Sequence, residues 1–299
     1  MKILITGASG LIGKALQESF KEKGYEILLA SRSEPKDSSQ VQWDADTGFR
    51  EADLERLEGL DAVIHLAGES IAGLRWTDEK KKAIRDSRVF GTRSMIETFD
   101  KLNNKPKVFI CASAVGFYGD RGSDELTESS AAGNTFLAEV AKEWEAEARR
   151  AEDLGIRTVL LRSGIVLSKD GGALAAMLTP FKLGVGGVVG DGNQWMSWIS
   201  LDDVVGIINY AIEHDNVRGA INNTSPNPVT NEEFTKTLGS VLYRPTFLPL
   251  PEFAVHMVLG EMGDALLLDS TRAVSKRLTD AGYEFKYPDL KRALEHAVE

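Results

Sequence analysis

The first thirteen residues constrain this chain more than any other stretch. Met1-Lys2-Ile3-Leu4-Ile5-Thr6 is apolar enough for a buried strand. Gly7-Ala8-Ser9-Gly10-Leu11-Ile12-Gly13 follows at once, and Lys14-Ala15-Leu16-Gln17-Glu18-Ser19-Phe20 carries apolar residues at helical spacing. Each glycine has a distinct physical use in such a strand–turn–helix. Gly7 permits a tight turn with positive φ, Gly10 removes a Cβ where a pyrophosphate must approach the backbone, and Gly13 lets the helix pack tightly on the strand. The unpaired amides at the helix start then face the phosphates, aided by the helix dipole. The spacing is GxxGxxG rather than GxGxxG. Thr6, Gly7, Ser9, Gly10, Leu11, Ile12 and Gly13 are therefore candidate dinucleotide-binding residues; a glycine-rich turn with no ligand is the alternative.

Strand and helix signals then alternate. Residues 26–31, 40–44, 61–68, 107–113 and 157–162 read as strands, and residues 77–102 and 134–154 as helices. The run 61–68 is apolar enough to be buried on both faces. This alternation predicts an α/β fold with a Rossmann-like, doubly wound parallel sheet, whose ligands sit beyond the carboxyl ends of the strands. Near residue 170 the pattern breaks into a glycine-rich stretch, Gly171 to Gly192. Helices are expected at 202–214 and from Asn231. Pro245, Pro249 and Pro251 mark a linker to a mainly helical end. The expected division is a nucleotide-binding domain over 1–169, joined by part of 200–230. A smaller C-terminal substrate region covers 170–299, with a helical module at about 248–295.

Composition removes several functions. The net charge is −10 and the isoelectric point near 5.1, so no nucleic-acid partner is expected. No apolar run is long enough for a membrane span. The single cysteine, Cys111, rules out an internal disulfide and a cysteine-rich zinc site, and His65, His214, His256 and His296 show no metal spacing. With no signal-peptide pattern before residue 13, a cytoplasmic location is the expectation.

The end of the second strand discriminates between cofactors. An acidic residue there would hold the ribose 2′-hydroxyl of NAD. Ser31-Arg32-Ser33 instead suits a 2′-phosphate, so NADP(H) is favoured over NAD(H), against the alternative of an ordinary solvated arginine. Asp44, after the third strand, either accepts from an adenine amine or caps a loop. His65 is expected to be a satisfied core histidine, and Lys80-Lys81-Lys82 a solvated helix face.

These motifs resemble the extended short-chain dehydrogenase/reductases, the family that includes nucleotide-sugar epimerases and dehydratases. Gly190-Asp191-Gly192 through Trp198-Ile199-Ser200-Leu201-Asp202-Asp203-Val204 is similar to the family's substrate-domain signature. More narrowly, His65-Leu66-Ala67-Gly68-Glu69-Ser70-Ile71, Ala112-Ser113-Ala114-Val115-Gly116-Phe117-Tyr118-Gly119 and Phe136-Leu137-Ala138-Glu139-Val140 resemble the YfcH-type epimerase-family branch, which ends in a small C-terminal module. The resemblance implies that Leu66, Ala67, Gly68, Glu69, Arg88, Ala112, Arg162, Ser163, Gly164 and Val166 contribute to the cofactor surface. It also implies a homodimer through the two long helices.

The family's chemistry uses a Ser, then a Tyr about 25 residues later, then a Lys four residues further on. Ser113 and Lys142 fit that spacing, but Ala138 stands where the tyrosine belongs. Tyr118 is the nearest substitute proton carrier; a packing aromatic is its alternative. Lys142 can still hold the nicotinamide ribose. Glu69, Arg75 and Trp76 are expected on the substrate side, where Glu69 and Arg75 either polarise a substrate or pair with each other. Met196 occupies a position where many relatives carry a phosphate-binding arginine, which argues against a nucleoside-diphosphate sugar. Trp195 and Trp198 form an aromatic wall or simply core. Two functions follow. One is an NADP(H)-dependent oxidoreductase of the epimerase/dehydratase type acting on a small molecule. The other is an NADP(H)-binding regulatory or scaffold protein with little or no catalysis.

Overall fold

The structure, a computed structural model, describes residues 1–73 and 75–299. Strand β1 (Lys2–Thr6) runs into helix α1 (Leu11–Glu22), followed by β2 (Glu26–Ser31), β3 (Gln40–Asp44) and β4 (Gly48–Phe49). Then come β5 (Ala62–His65), α2 (Asp78–Lys101), β6 (Val108–Ala114), β7 (Glu125–Leu126), α3 (Phe136–Asp153), β8 (Arg157–Ser163) and β9 (Ile165–Leu167). The C-terminal half adds α4 (Gly172–Lys182), β10 (Trp195–Met196), β11 (Trp198–Ser200), α5 (Leu201–Glu213), β12 (Gly219–Asn223), β13 (Val229–Thr230) and α6 (Asn231–Val241). It closes with α7 (Glu252–Leu259), α8 (Glu261–Gly263), β14 (Arg272–Ala273), α9 (Lys276–Asp280) and α10 (Leu290–Val298).

The main sheet has eight strands in the order β12-β8-β6-β5-β1-β2-β3-β4. Every pairing is parallel except β3 with β4. Strand β12 was not expected from the sequence, although 200–230 was expected to rejoin the first domain. It pairs with β8 at the sheet's edge, in register from Gly219–Val159 to Asn223–Ser163.

Alternation of side chains divides the core into two layers. Ile3, Ile5, Ile64, Ile110, Val159, Leu161 and Ile221 pack with Leu16 and Phe20 of α1 and Val204, Ile207 and Ile208 of α5. Leu4, Val63, Phe109 and Leu160 pack with Met95 and Phe99 of α2 and Trp144 and Ala148 of α3. A third core joins Leu174, Phe181, Trp198, Phe234, Leu238, Leu290 and Leu294 under the C-terminal half. Trp198 is core, fully buried, with its indole N–H donated to the Asn227 carbonyl at 2.9 Å.

Local chemistry sets the element ends. Thr77 caps α2 by accepting from the Lys80 amide, and Thr135 caps α3 by accepting from the Ala138 amide. The apolar run 61–68 stops being a strand at His65, because the Leu66 and Ala67 amides turn onto the Thr6 hydroxyl at 3.1 and 3.2 Å. Leu66 to Glu69 thereby become a loop at the carboxyl edge of the sheet. The proline-marked segment near 245–251 is pinned by bridges of Phe247 to Gly187 and Leu250 to Val189.

Candidate functional site

The glycine turn has the geometry its spacing demands. Gly7 has φ +68°, and a Cβ there would stand 2.9 Å from the Leu66 carbonyl carbon. At Gly13 a Cβ would lie 2.5 Å from the Gly7 oxygen and 2.7 Å from Ala8 Cα, so only glycine permits α1 to sit so close to the turn. Gly10 is the N-cap of α1 and offers no side-chain acceptor, which leaves the first amides of Leu11, Ile12 and Gly13 pointing out of the turn. Ser9 is exposed at its tip. Gln17 secures the turn by donating to the Ala8 carbonyl at 2.7 Å. A cradle in which a Cβ would clash, at the positive end of a helix dipole, fits a pyrophosphate.

Thr6 requires a correction: it is fully buried and its hydroxyl is spent inside the protein. It accepts from the Leu66 and Ala67 amides and lies 2.8 Å from His65 Nδ1. With two amides donating to it, its own proton goes to Nδ1, so His65 carries its proton on Nε2. Burial drives the His65 pKa down to about 4, which keeps the ring neutral. His65 is thus a core residue, though its Nε2 has no partner among the described residues.

Charged side chains gather beside the turn. Sheet order places the end of β1 between the ends of β2 and β5. From the β2 side come Ser31, whose hydroxyl accepts from the Ser33 amide at 3.2 Å, and Arg32, which is exposed with no side-chain hydrogen bond among the described residues. From the β5 side comes Glu69, held by Lys80 Nζ at 2.5 Å. Lys80 foremost, with Arg32 and Arg88, keeps the Glu69 carboxyl below the usual carboxylate range. Arg88 of α2 lies over Gly68, its guanidinium carbon 3.3 Å from where a Cβ would be. It donates to the carbonyls of Glu69 and Ile84 at 2.9 and 3.0 Å and stacks on Trp144 at 5.2 Å. Burial pulls its pKa down to about 10. No carboxylate lies within 4.0 Å of its guanidinium among the described residues. Asp44 accepts from the Asp46 amide at 2.9 Å, the geometry of a loop cap.

Glu69 and Arg75 do not pair with each other. Arg75 bonds to the carbonyls of Met257 and, at 3.1 Å, Val258, the last turn of α7. Trp76 donates to the Ile71 carbonyl at 2.8 Å and meets Phe136 edge-on at 5.3 Å. Nor is the lysine trio a uniform solvated face: Lys80 binds Glu69, Lys81 binds Glu261 and Lys82 binds Asp86.

The expected catalytic residues are not assembled as a catalytic group. Ser113, Arg162 and Asn222 stand in register on β6, β8 and β12. All three are buried and face the side of α3. Ser113 donates to Glu145 Oε1 at 2.8 Å. Arg162 grips the same carboxylate through Nε and Nη2, both at 2.8 Å, and stacks on Phe117 at 3.5 Å. Tyr118 is fully buried; its hydroxyl donates to Asn222 Oδ1 at 2.6 Å and accepts from Arg162 Nη1 at 3.0 Å. Burial raises its pKa further from neutrality. Tyr118 is therefore not open to a cleft, and the Arg162 guanidinium is taken up by protein groups. Both belong to an internal ionic network.

Helix α3 gives the same answer. Its buried positions include Ala138, Ala141, Glu145 and Ala148, while Lys142, one turn after Ala138, is exposed. Leu137, not Ala138, lies against the turn after β6, its Cβ 3.4 Å from where a Cβ on Gly116 would stand. Whether the pair is counted as 138 and 142 or as 137 and 141, no hydroxyl and ammonium share this face.

Ser163, Gly164 and Val166 do lie at the carboxyl edge. A Cβ at Gly164 would be 2.4 Å from the Ser197 carbonyl oxygen, so this crossing needs glycine. The Ser163 hydroxyl accepts from Asn223 Nδ2 at 2.9 Å. Ala112 lies on β6 two residues before Ala114, which is paired with Ser163. Trp195 lies under the Arg272 guanidinium at 4.4 Å.

Sequence reasoning missed Glu145, the hub of the buried network, and Asp269. Burial, with Asp120 and Asp264 nearby, raises the Asp269 pKa to about 6. No local motif marks either, since Ser113 and Arg162 around Glu145 and Asp120 beside Asp269 come from other segments. Among the described residues no three His, Cys, Asp or Glu side chains are placed to hold a metal ion, and no helix is long and apolar enough to cross a membrane.

Comparison with known proteins matches residues 3–223 to the NAD dependent epimerase/dehydratase family and residues 250–297 to a domain of unknown function, DUF1731. The epimerase family protein YfhF of Bacillus subtilis is 39% identical over 303 residues, covering 100% of this chain and 98% of its own. The crystal structure of human epimerase family protein SDR39U1 (isoform 2) with NADPH superposes with a TM-score of 0.90 at 34% identity, covering 99% of each chain. A nucleoside-diphosphate sugar epimerase from Corynebacterium glutamicum gives 0.82 at 36% identity, covering 100% of this chain and 58% of that one. With this match over most of its length, the chain belongs to the NAD dependent epimerase/dehydratase family.

Proposed function

We propose that this protein binds NADP(H) and acts as an oxidoreductase of the epimerase/dehydratase type on a small molecule. The observation that carries the cofactor is the junction of the glycine cradle with Arg32 and Arg88. Gly7, Gly10 and Gly13 leave room for a pyrophosphate, and Arg32 stands unengaged where an acidic residue would select NAD. The NADPH in the human relative's structure supports the same choice.

When bound, the nicotinamide supplies a hydride donor or acceptor. The residues of this chain hold and orient it. The α1 amides and Arg32 take the phosphates, Arg88 braces the Gly68–Glu69 loop, and Ser163 and Gly164 form the floor at the end of β8. Proton transfer in this reading falls to water or to the substrate's own hydroxyl, because Ser113 and Tyr118 are committed to Glu145, Arg162 and Asn222.

That commitment favours a second reading as well, an NADP(H)-binding regulatory or scaffold protein with little or no turnover. Fluorescence titration with NADPH and NADH, followed by NADPH oxidation against a panel of carbonyl compounds and sugar nucleotides, separates the two. Binding with turnover supports the oxidoreductase. Binding without turnover across the panel supports the regulator, and no binding overturns both.

A further inference from the structure

We propose that Glu69, by holding Lys80 and placing a negative charge beside the glycine turn, sets how strongly the site prefers a 2′-phosphorylated nucleotide. The inference rests on the NADP(H) reading above and deepens it.

The geometry begins with the strand order. Glu69 follows β5 and Arg32 follows β2, with the glycine turn of β1 between them. The Glu69 backbone is fixed: its amide donates to Ser87 Oγ at 2.9 Å and its carbonyl accepts from Arg88 Nη1 at 2.9 Å. Its side chain is exposed and meets Lys80 Nζ at 2.5 Å. Lys80 contacts the carboxylate, Arg88 is held at the Glu69 carbonyl, and Arg32, at the end of the strand beyond β1, acts on it more weakly through space. Neither Arg32 nor Arg88 has a carboxylate within ion-pair distance among the described residues. Arg32 and Lys80 thus offer two exposed or half-exposed cationic side chains, the kind of donors a phosphate site requires.

A dianionic phosphate on Arg32 meets the same cations from the other side. It attracts Lys80 away from Glu69 and is repelled by the remaining carboxylate. Removing the Glu69 charge while keeping its shape relieves that repulsion and frees Lys80 for the phosphate. The effect falls on ligands in proportion to charge near Arg32, so it is larger for NADPH than for NADH, whose ribose carries no phosphate.

The test is fluorescence titration of wild type, Glu69→Gln, Glu69→Asp and Lys80→Gln with NADPH and NADH, repeated with adenosine 2′,5′-bisphosphate as competitor. Glu69→Gln is expected to raise the NADPH-over-NADH preference roughly three- to tenfold, the order of effect of one nearby surface charge, and to tighten the bisphosphate. Glu69→Asp is expected to stay near wild type, and Lys80→Gln to lower the preference. An unchanged or lowered preference in Glu69→Gln, with wild type binding NADPH, overturns the role given to Glu69 and leaves the cofactor reading standing. A merely structural Glu69 would shift both nucleotides alike. Failure of wild type to bind NADPH overturns the cofactor reading and this inference with it.

Discussion

Ser113 Oγ donates to Glu145 Oε1 at 2.8 Å, and the same carboxylate carries the guanidinium of Arg162. The serine that fits the family's catalytic spacing is a strut of a buried ion pair. Glu145 and Arg162 are each less than 5% exposed. Removing one partner leaves a charge buried without compensation. Glu145→Ala is expected to cost about 3–5 kcal/mol of stability, measured by urea unfolding. The double change Glu145→Leu with Arg162→Met should recover most of that loss. Additive losses in the pair would show that the charges do not depend on each other.

At Gly13 the demand is steric. Gly13→Ala places a methyl 2.5 Å from the Gly7 oxygen and pushes α1 off the turn. Strain of this kind costs about 1–3 kcal/mol. NADPH affinity should fall along with stability, because the displaced α1 amides no longer converge. Unaltered titration curves would mean that the cradle is not where the phosphates sit.

In the proposed reading Arg32 carries the cofactor preference. Arg32→Ala should weaken NADPH by about 1.5–3 kcal/mol, the range for hydrogen bonds to charged groups, and leave NADH nearly unchanged. Equal losses for both nucleotides would remove the 2′-phosphate role.

Restoring the missing tyrosine at Ala138 is expected to fail. Ala138 is fully buried, so the Ala138→Tyr ring has no room and should destabilise the fold by at least about 1–3 kcal/mol without gain in turnover. Unfolding curves and NADPH oxidation rates check both halves of this expectation.

His65 makes the fold acid-sensitive. Its folded pKa, about 4, lies below the unfolded value of 6.5, so the unfolded chain binds the extra proton first. Its contribution is present at neutral pH and is lost progressively as pH falls from about 6.5 to about 4, amounting to about 3 kcal/mol at the low end. Between pH 7 and pH 4.5 the wild-type urea midpoint should fall relative to that of His65→Phe, which lacks this titration. Parallel curves would place the acid sensitivity elsewhere.

The sequence by itself determined the local and periodic features. The glycine spacing specified the turn at Gly7 and the close packing at Gly13, because backbone φ and Cβ sterics are properties of single residues. Alternating apolar periods specified the parallel sheet and its two helical layers. That no acidic residue precedes Glu34 at the end of β2, where Ser31-Arg32-Ser33 stands, was likewise visible before any folding. Tertiary structure alone decided which polar groups remain free. Ser113 and Tyr118 occupy motif positions, yet Glu145, 32 residues from Ser113, and Asn222, 104 residues from Tyr118, take their hydroxyls. Lys142 has the right spacing and is exposed, with no hydroxyl at Ala138 beside it, and Asp269 owes its raised pKa partly to Asp120 from a distant loop. A side chain's hydrogen-bond partners and burial are set by chain segments far away in sequence, and no local pattern encodes them.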